Sequence, residues 1–366
     1  MHLNPLINKK TVRSNAFMKN AQKLEEKKNG KGSRKPLKNY IGKIVCLESS
    51  ELIGQESGIP DFIYKVSKDN LLAAIENANL TGMSGNGFPV HKKINAFLSS
   101  GSGKKILLIN AVECDPALLH DEWLLKNRFN EIAQTIDLLA KTFSLDKAVL
   151  AVKSESVESC GNFSVCVVPP RYPMGEEHFL IRRVLGIPLE IKNIPAEHGV
   201  LVLNIQSIYQ IGKIANQCYD GGRFITIADL IKASARVAYV YPNDTVSCVL
   251  SRGFSESKAD SVYFGHGAMA CVKSTSADTF SKYGNFAAYA NEPKMNSASK
   301  CRRCGNCTRK CPVNIKAAKI VQLTDKNKPF DSTSFDIDKC VKCGSCTYFC
   351  PALKNVSGYI AELLYG

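Results

Sequence analysis

"TGMSGNGFPVHKK" (residues 81–93) sets three glycines and a proline between two stretches that read as helix. Glycine is destabilising unless the backbone must turn sharply or come close to another group. Two phosphate-binding readings fail on spacing. A dinucleotide fingerprint needs G-x-G-x-x-G after a strand, but here the triplet is Gly82, Ser84, Gly87 and a helical stretch precedes it. "SSGSGKK" (99–105) imitates a P-loop without its four-residue gap or its Ser/Thr after lysine.

Outward from the loop, helices and strands alternate. Ser67 can cap a helix through "KDNLLAAIENANL", and "HKKINAFLSS" follows the loop as a second helix. "KKILLIN" (104–110), "KAVLAVK", "FSVCVVP" and "GVLVLN" are short apolar runs that read as buried strands. "DEWLLKNRFNEIAQTIDLLAKTF" (121–143) reads as one helix; "EEHFLIRRVLG" and "SIYQIGKIANQC" read as two more. This alternation predicts an α/β layer with a mainly parallel sheet over 66–221. Before it lie a basic stretch, 1–40, and a short β segment or linker, 41–65. After it come a small β-rich domain (222–282), a linker (283–299) and a cysteine-rich module (300–366).

The chain has 366 residues, 45% hydrophobic and 22% charged, which suits a globular protein with two or three cores. It has no run of about 18 apolar residues, and its first residues lack the apolar stretch of a signal peptide. The expected setting is cytoplasmic. The formal charge of +15 is partly local, since residues 1–40 carry eleven Lys and Arg against two Glu. That stretch lacks the aromatic interleaving of a single-strand binder, so nucleic acid is not an expected partner. It reads as a solvated leader, or as a dock for an acidic partner or an anionic membrane surface with peripheral association.

Fifteen cysteines are too many, and odd in number, for a cytosolic disulfide framework. "CRRCGNCTRKCP" supplies Cys301, Cys304, Cys307 and Cys311; "CVKCGSCTYFCP" supplies Cys340, Cys343, Cys346 and Cys350. Both are C-x2-C-x2-C-x3-C-P, the bacterial ferredoxin run for [4Fe–4S] clusters, in which the fourth cysteine ligates the other cluster. The spacing therefore assigns Cys301, Cys304, Cys307 and Cys350 to one cube and Cys340, Cys343, Cys346 and Cys311 to the second. Zinc knuckles are the competing reading, but they do not require this doubled run. The other seven cysteines, Cys46, Cys114, Cys160, Cys166, Cys218, Cys248 and Cys271, read mostly as buried apolar thiols.

"GMSGNGFPVHKK" resembles the G-x-G-G-x-G-F-P-T-x-x-K loop of the Rnf complex C subunit, a family related to the flavin subunit of respiratory complex I. "LINAVECDPALLHDEWLL", "YPMGEEHFLIRRVLGIPLE", "GVLVLNIQSIYQI" and "FGHGAMA" are similar to further family segments, in the same order, from about 70 to 355. The chain departs from the pattern at Ser84, Val90 and His178. The resemblance implies a flavin-binding α/β domain, a β-grasp (SLBB-like) domain and a two-cluster ferredoxin-like module. It implies FMN held around Gly82, Gly85, Gly87, Lys93, Asn110, Glu113 and Asn204, with NAD(H) entering near Phe88, Glu176 and Glu177. The function it implies is electron transfer from NADH through FMN and two clusters to a redox partner protein: a ferredoxin, a flavoprotein or a reductase subunit. A cobalamin-reductase-like enzyme and a flavin-less two-cluster relay are the alternatives.

Overall fold

The structure is a computed structural model that describes residues 49, 51–60, 62, 65–84, 87–154, 161–169, 171–275, 277–280, 284–292, 299–326 and 332–365. The basic leader, Cys46, Gly85 and Cys160 lie outside the described residues. In chain order the elements are β1 (Leu52–Ile53), α1 (Lys68–Asn77), α2 (Val90–Leu98), β2 (Ile106–Ala111), α3 (His120–Asn127), α4 (Phe129–Thr142), β3 (Lys147–Val152), β4 (Ser164–Val167), α5 (Glu177–Leu185), β5 (Val200–Asn204) and α6 (Ile205–Ala215). There follow β6 (Arg223–Asp229), β7 (Ser234–Val240), α7 (Val246–Gly253), β8 (Ser261–Gly265), β9 (Cys271–Lys273), β10 (Phe286–Ala290), α8 (Asn306–Arg309), α9 (Ala317–Thr324), α10 (Ser345–Tyr348) and α11 (Val356–Tyr365).

The first sheet is parallel throughout, in the order β4-β3-β2-β5. A parallel sheet covered on both faces needs continuous apolar strands. Leu107, Ile109, Leu150 and Leu203 accordingly pack into the core with α1, α2, α4 and α6. Leu108, Val149 and Val202 pack on the other face against Leu180 and Ile181 of α5. From β2 the chain builds outward through β3 and β4, then returns to lay β5 on the opposite side of β2. A reversal of strand order of this kind places a ligand crevice outside the carboxyl ends of the two adjacent strands. Asn110 and Asn204 are register partners at that edge.

The stretch 121–143 is two helices rather than one. Arg128 leaves helical geometry (φ −135°, ψ 23°) between α3 and α4. Its guanidinium instead reaches Glu56, through Nε at 3.0 Å and Nη2 at 2.9 Å. The other Glu56 oxygen accepts from Tyr209 OH (2.6 Å), Gly58 N (2.9 Å) and Lys213 Nζ (3.2 Å). Lys213, itself fully buried, also reaches Asp220 at 3.2 Å. Burial opposes ionisation of Glu56, but these hydrogen bonds and the Lys213 charge outweigh it and hold the carboxyl below its usual range.

The second sheet has the order β1-β7-β6-β10-β8-β9 and is mixed. It draws on more of the chain than the 222–282 reading allowed. The expected linker, 283–299, carries β10, which lies between β6 and β8 in the middle of the sheet. The strand is built on Ala287, Ala288 and Ala290, all buried, and such small side chains give little apolar periodicity to read. β1, from the 41–65 stretch, pairs in parallel with β7. Helix α7 covers one face through Val246, Val249 and Leu250. The other face receives Ala117 and Leu118 of the loop after β2 and Tyr348 of the cysteine-rich module.

Glu56→Ala should lower stability by about 3–5 kcal/mol, the cost of stranding buried partners of opposite charge, read as an earlier urea midpoint. Because the folded carboxyl is held below its unfolded value, its contribution is present above the unfolded pKa and is lost as pH falls through the folded one. The Ala variant should therefore lose part of the acid-side fall in stability that the native chain displays.

Candidate functional site

The glycine loop closes on itself at its base. Gly82 N donates to Phe88 O (2.7 Å), Val90 N donates to Leu80 O (2.9 Å), and Thr81 pairs with Pro89. Gly87 takes φ +63°, a left-handed conformation that glycine adopts without penalty. The loop is then pinned from two sides: Met83 N donates to Ser207 Oγ at 3.0 Å, and Asn285 Nδ2 donates to Met83 O at 2.8 Å. One anchor is on α6 and the other is at the foot of β10.

Loop, α2 and the ends of β2 and β5 enclose a cleft of about 410 Å³, within the range of cofactor sites. Gly82, Phe88, Lys93, Asn110, Glu177 and Asn204 all line it. Lys93 forms a close ion pair with Glu177, and Ile194, Pro195 and Ala196 supply an apolar wall. Asn110 Nδ2 donates to Gly175 O (2.9 Å), and Asn204 Nδ2 donates to Asp121 Oδ2 (2.7 Å). A carboxamide nitrogen has two hydrogens, so each amide keeps one N–H beyond its protein bond. Exposed glycine-loop backbone, a lysine at the start of a helix, carboxamides and an apolar wall together form a donor set that fits a flavin and its phosphate.

Glu176 has a different task from its neighbour. Its carboxylate accepts from His178 N (3.0 Å) and Phe179 N (3.2 Å), capping α5. His178 Nδ1 bonds Glu176 at 2.8 Å and Nε2 bonds Asn193 O at 2.9 Å. Both partners accept, so both bonds require the imidazolium, and the hydrogen bond to Glu176 raises the pKa of His178. That cation ties the start of α5 to the segment leading into the apolar wall.

A second cavity, of about 230 Å³, shares Ser84, Asn110, Gly175 and Asn204 with the first and runs on to Glu113, Tyr172 and Cys343. Donor atoms of Glu113, His120 and Asp121 gather within 4.8 Å of one another beside it. Burial, reinforced by the Asp121 and Asp115 charges, pushes Glu113 well above the usual carboxylate range. Burial takes Asp121 up to about 7 and, with the Arg223 charge, takes His120 down to about 3. Two carboxyls in one buried space resist joint ionisation. The group thus keeps a proton near neutrality beside a neutral imidazole.

Asp115 joins the domains. Its carboxylate accepts from Ala117 N (3.2 Å), Ala268 N (3.0 Å) and Met269 N (3.0 Å), and so clasps the "GHGAMA" turn of the second sheet. A Cβ on Gly267 would lie 2.5 Å from Asp115 Oδ2, so glycine is required for this approach. Tyr172 OH donates to Cys343 O at 2.8 Å, fastening the cysteine-rich module to the same cavity. Sequence reasoning does not single out either residue, although both sit in the quoted family segments.

The eight run cysteines fall into two cavities: Cys301, Cys304, Cys307 and Cys350 line one, and Cys311, Cys340, Cys343 and Cys346 line the other. The two runs repeat each other's backbone. Gly305 and Gly344 take φ +73° and +75°, and Arg303 and Lys342 take +52° and +59°. Arg303 N and Lys342 N each donate to the Sγ two residues before, at 3.4 Å. Burial, with the neighbouring thiolates adding, pushes Cys307 and Cys340 up to about 11. Thiolates crowded this way need a cationic core, which an iron–sulfur cube supplies. Of the five remaining described cysteines only Cys271 is buried, against the expectation of mostly buried thiols: Cys114, Cys166 and Cys218 are half-buried, and Cys248 is exposed on α7. Cys114 Sγ accepts from Gly175 N at 3.3 Å.

Since the unfolded Asp121 ionises at lower pH than the folded one, stability should fall as pH rises from about 4 to about 7 and level off above. Asp121→Asn removes part of that slope while still accepting from Asn204. Thermal melts from acidic to mildly alkaline pH should be flatter for the variant, and an identical slope would exclude Asp121 as its source.

Comparison with known proteins agrees with this geometry. Residues 75–213 match the Nuo51 FMN-binding domain and residues 300–355 match a 4Fe-4S dicluster domain. The C subunit of the ion-translocating oxidoreductase complex of Vibrio cholerae is 26% identical over 287 residues, covering 74% of this chain and 36% of the relative. A Haemophilus influenzae protein of the same name is 26% identical over 311 residues, covering 78% of this chain and 47% of the relative. The chain thus spans half or less of the length of these two relatives. In fold it is similar to an NAD+-reducing [NiFe]-hydrogenase chain, with TM-score 0.55 and 15% identity over 81% of this chain and 61% of that one. The chain is thus similar to the C subunits of ion-translocating oxidoreductase complexes, and it joins a match to the Nuo51 FMN-binding domain with a match to a 4Fe-4S dicluster domain.

Proposed function

We propose that this chain is an NADH-oxidising electron-transfer subunit that delivers single electrons through two [4Fe–4S] clusters to a partner protein in the cytoplasm. The observation that carries the reading is the pair of joined cavities, which meet at Ser84, Asn110, Gly175 and Asn204 and end at Cys343. FMN, when bound, supplies the exchange between two-electron hydride chemistry and the one-electron steps of a cubane.

The chain's own residues divide the work. The loop backbone around Gly82 and Gly87 and the Lys93 cation hold the phosphate end, and Asn110 and Asn204 orient the flavin through their remaining N–H groups. Phe88, half-exposed at the rim, and Glu177 flank the opening through which a nicotinamide would approach. Glu177 also holds Lys93 in the cleft. The proton kept on Glu113 limits negative charge at the inner end, and Tyr172 stands between cavity and cluster module. That the similar hydrogenase is named as NAD+-reducing supports the choice of nicotinamide. In this order Cys311, Cys340, Cys343 and Cys346 hold the inner cluster, and Cys301, Cys304, Cys307 and Cys350 the outer one.

Two cysteine variants test the order. With NADH under anaerobic stopped flow, Cys343→Ser should leave flavin bleaching intact and slow reduction of the remaining cluster by at least about tenfold. Cys304→Ser should spare the inner cluster and lose only the outer signal. Equal loss of both signals in both variants, in chains that keep their flavin, would contradict the assigned path.

A further inference from the structure

The two halves of the cysteine-rich module share a backbone but not a setting. Cys343 faces the cavity beneath Tyr172. Its counterpart Cys304 is exposed to solvent, and of the eight run cysteines only Cys304 is. The charge around them differs as sharply. Residues 332–365 carry three Lys and three acidic residues, whereas 300–326 carry eight Lys and Arg against Asp325 alone. Asp325 is already bound, by Lys354 Nζ at 2.8 Å and by Cys301 N at 3.0 Å. Allowing roughly −2 for an oxidised cube with its thiolates, the outer half remains strongly positive.

The basic side chains surround the exposed cysteine. Arg302 lines the outer cluster cavity. Arg303 is exposed beside it, with its N–H on Cys301 Sγ. An added Cβ on Gly305 would lie 2.9 Å from Arg309 Nη1, which puts that guanidinium over the residue next to Cys304. Lys310 Nζ stands 5.1 Å from the ring centre of Phe349, the residue before Cys350.

We propose that this collar around Cys304 is the docking surface for an acidic one-electron carrier protein, of the size and charge of a bacterial ferredoxin. The proposal deepens the electron-transfer reading above and rests on it. One electron passes between the outer cluster and the carrier, oxidising one and reducing the other, with no bond made or broken. Charge complementarity centred on the exposed Cys304 selects such a partner. Arginine forks pair with carboxylates in two-point contacts, which fixes orientation. A collar of one sign also steers an acidic partner toward the site and raises its association rate. A lipid headgroup layer would use the same charge but would not need it arranged around a cysteine.

The test is binding, measured without NADH. The holo chain, purified without oxygen, is titrated by calorimetry with an acidic two-cluster bacterial ferredoxin at low and at physiological salt. Arg303→Glu with Arg309→Glu should weaken binding by at least about tenfold and flatten its salt dependence. Lys104→Glu with Lys147→Glu, exposed at the opposite end of the parallel sheet, should change it little. Arg303→Gln with Arg309→Gln should fall between, and iron content and visible spectra of each variant check that the module is folded. Equal affinity in native and reversed chains would overturn the proposal. So would binding to phosphatidylglycerol vesicles that depends on Arg303 and Arg309 while the ferredoxin is ignored. Failure of NADH to reduce the clusters would sink the electron-transfer reading but leave this binding result standing, so the two failures are distinguishable.

Discussion

The strand reversal beside β2 is the constraint on which the site depends. Because β5 returns to the far side of β2, the strand order reverses between these two paired strands, at their carboxyl ends. Asn110 and Asn204 end up in register at the mouth of the crevice. The start of the glycine loop is then held at that mouth, because Ser207 on α6 and Asn285 before β10 bind the Met83 backbone from either side. Local glycine chemistry supplies the loop's shape; the sheet topology supplies its address.

The same crevice is the meeting point of three parts of the chain. Asp115 clasps the second sheet through two backbone N–H groups, and Tyr172 ties in the cysteine-rich module through the carbonyl of Cys343. These are short-range, directional contacts, and they pin an acid-lined space next to Cys343. Cluster pairs built from one repeated motif are interchangeable by sequence. What distinguishes them here is packing: one run faces inward to Tyr172, and the other presents Cys304 to solvent within a basic collar.

Much of this was legible in the sequence, for physical reasons that also explain the gaps. Thiolate spacing within a run is local and marks both C-x2-C-x2-C-x3-C-P runs, and the ferredoxin exchange of the fourth cysteine gave the two sets that line separate cavities. Apolar strands between helices gave the parallel sheet, and Ser67 gave a helix start that the structure reproduces at 3.3 Å to Asn70 N. Long-range partnerships were not legible. The break at Arg128 goes with a partner 72 residues away, Glu56, which its guanidinium binds. The central place of β10 follows from partners on β6 and β8, which an alanine-rich segment does not announce. Glu176 and Glu177 look alike in sequence, yet one caps a helix and the other lines the cleft.

The most direct measurement of the central claim is cofactor content and response in one sample. The chain is purified without oxygen, bound flavin and iron are counted, NADH is added, and the visible spectrum is followed. The account predicts about one FMN and about eight iron atoms per chain, with both flavin and cluster absorbance bleached by NADH. About eight iron atoms with no flavin, even after reconstitution, would leave a two-cluster wire and contradict the account.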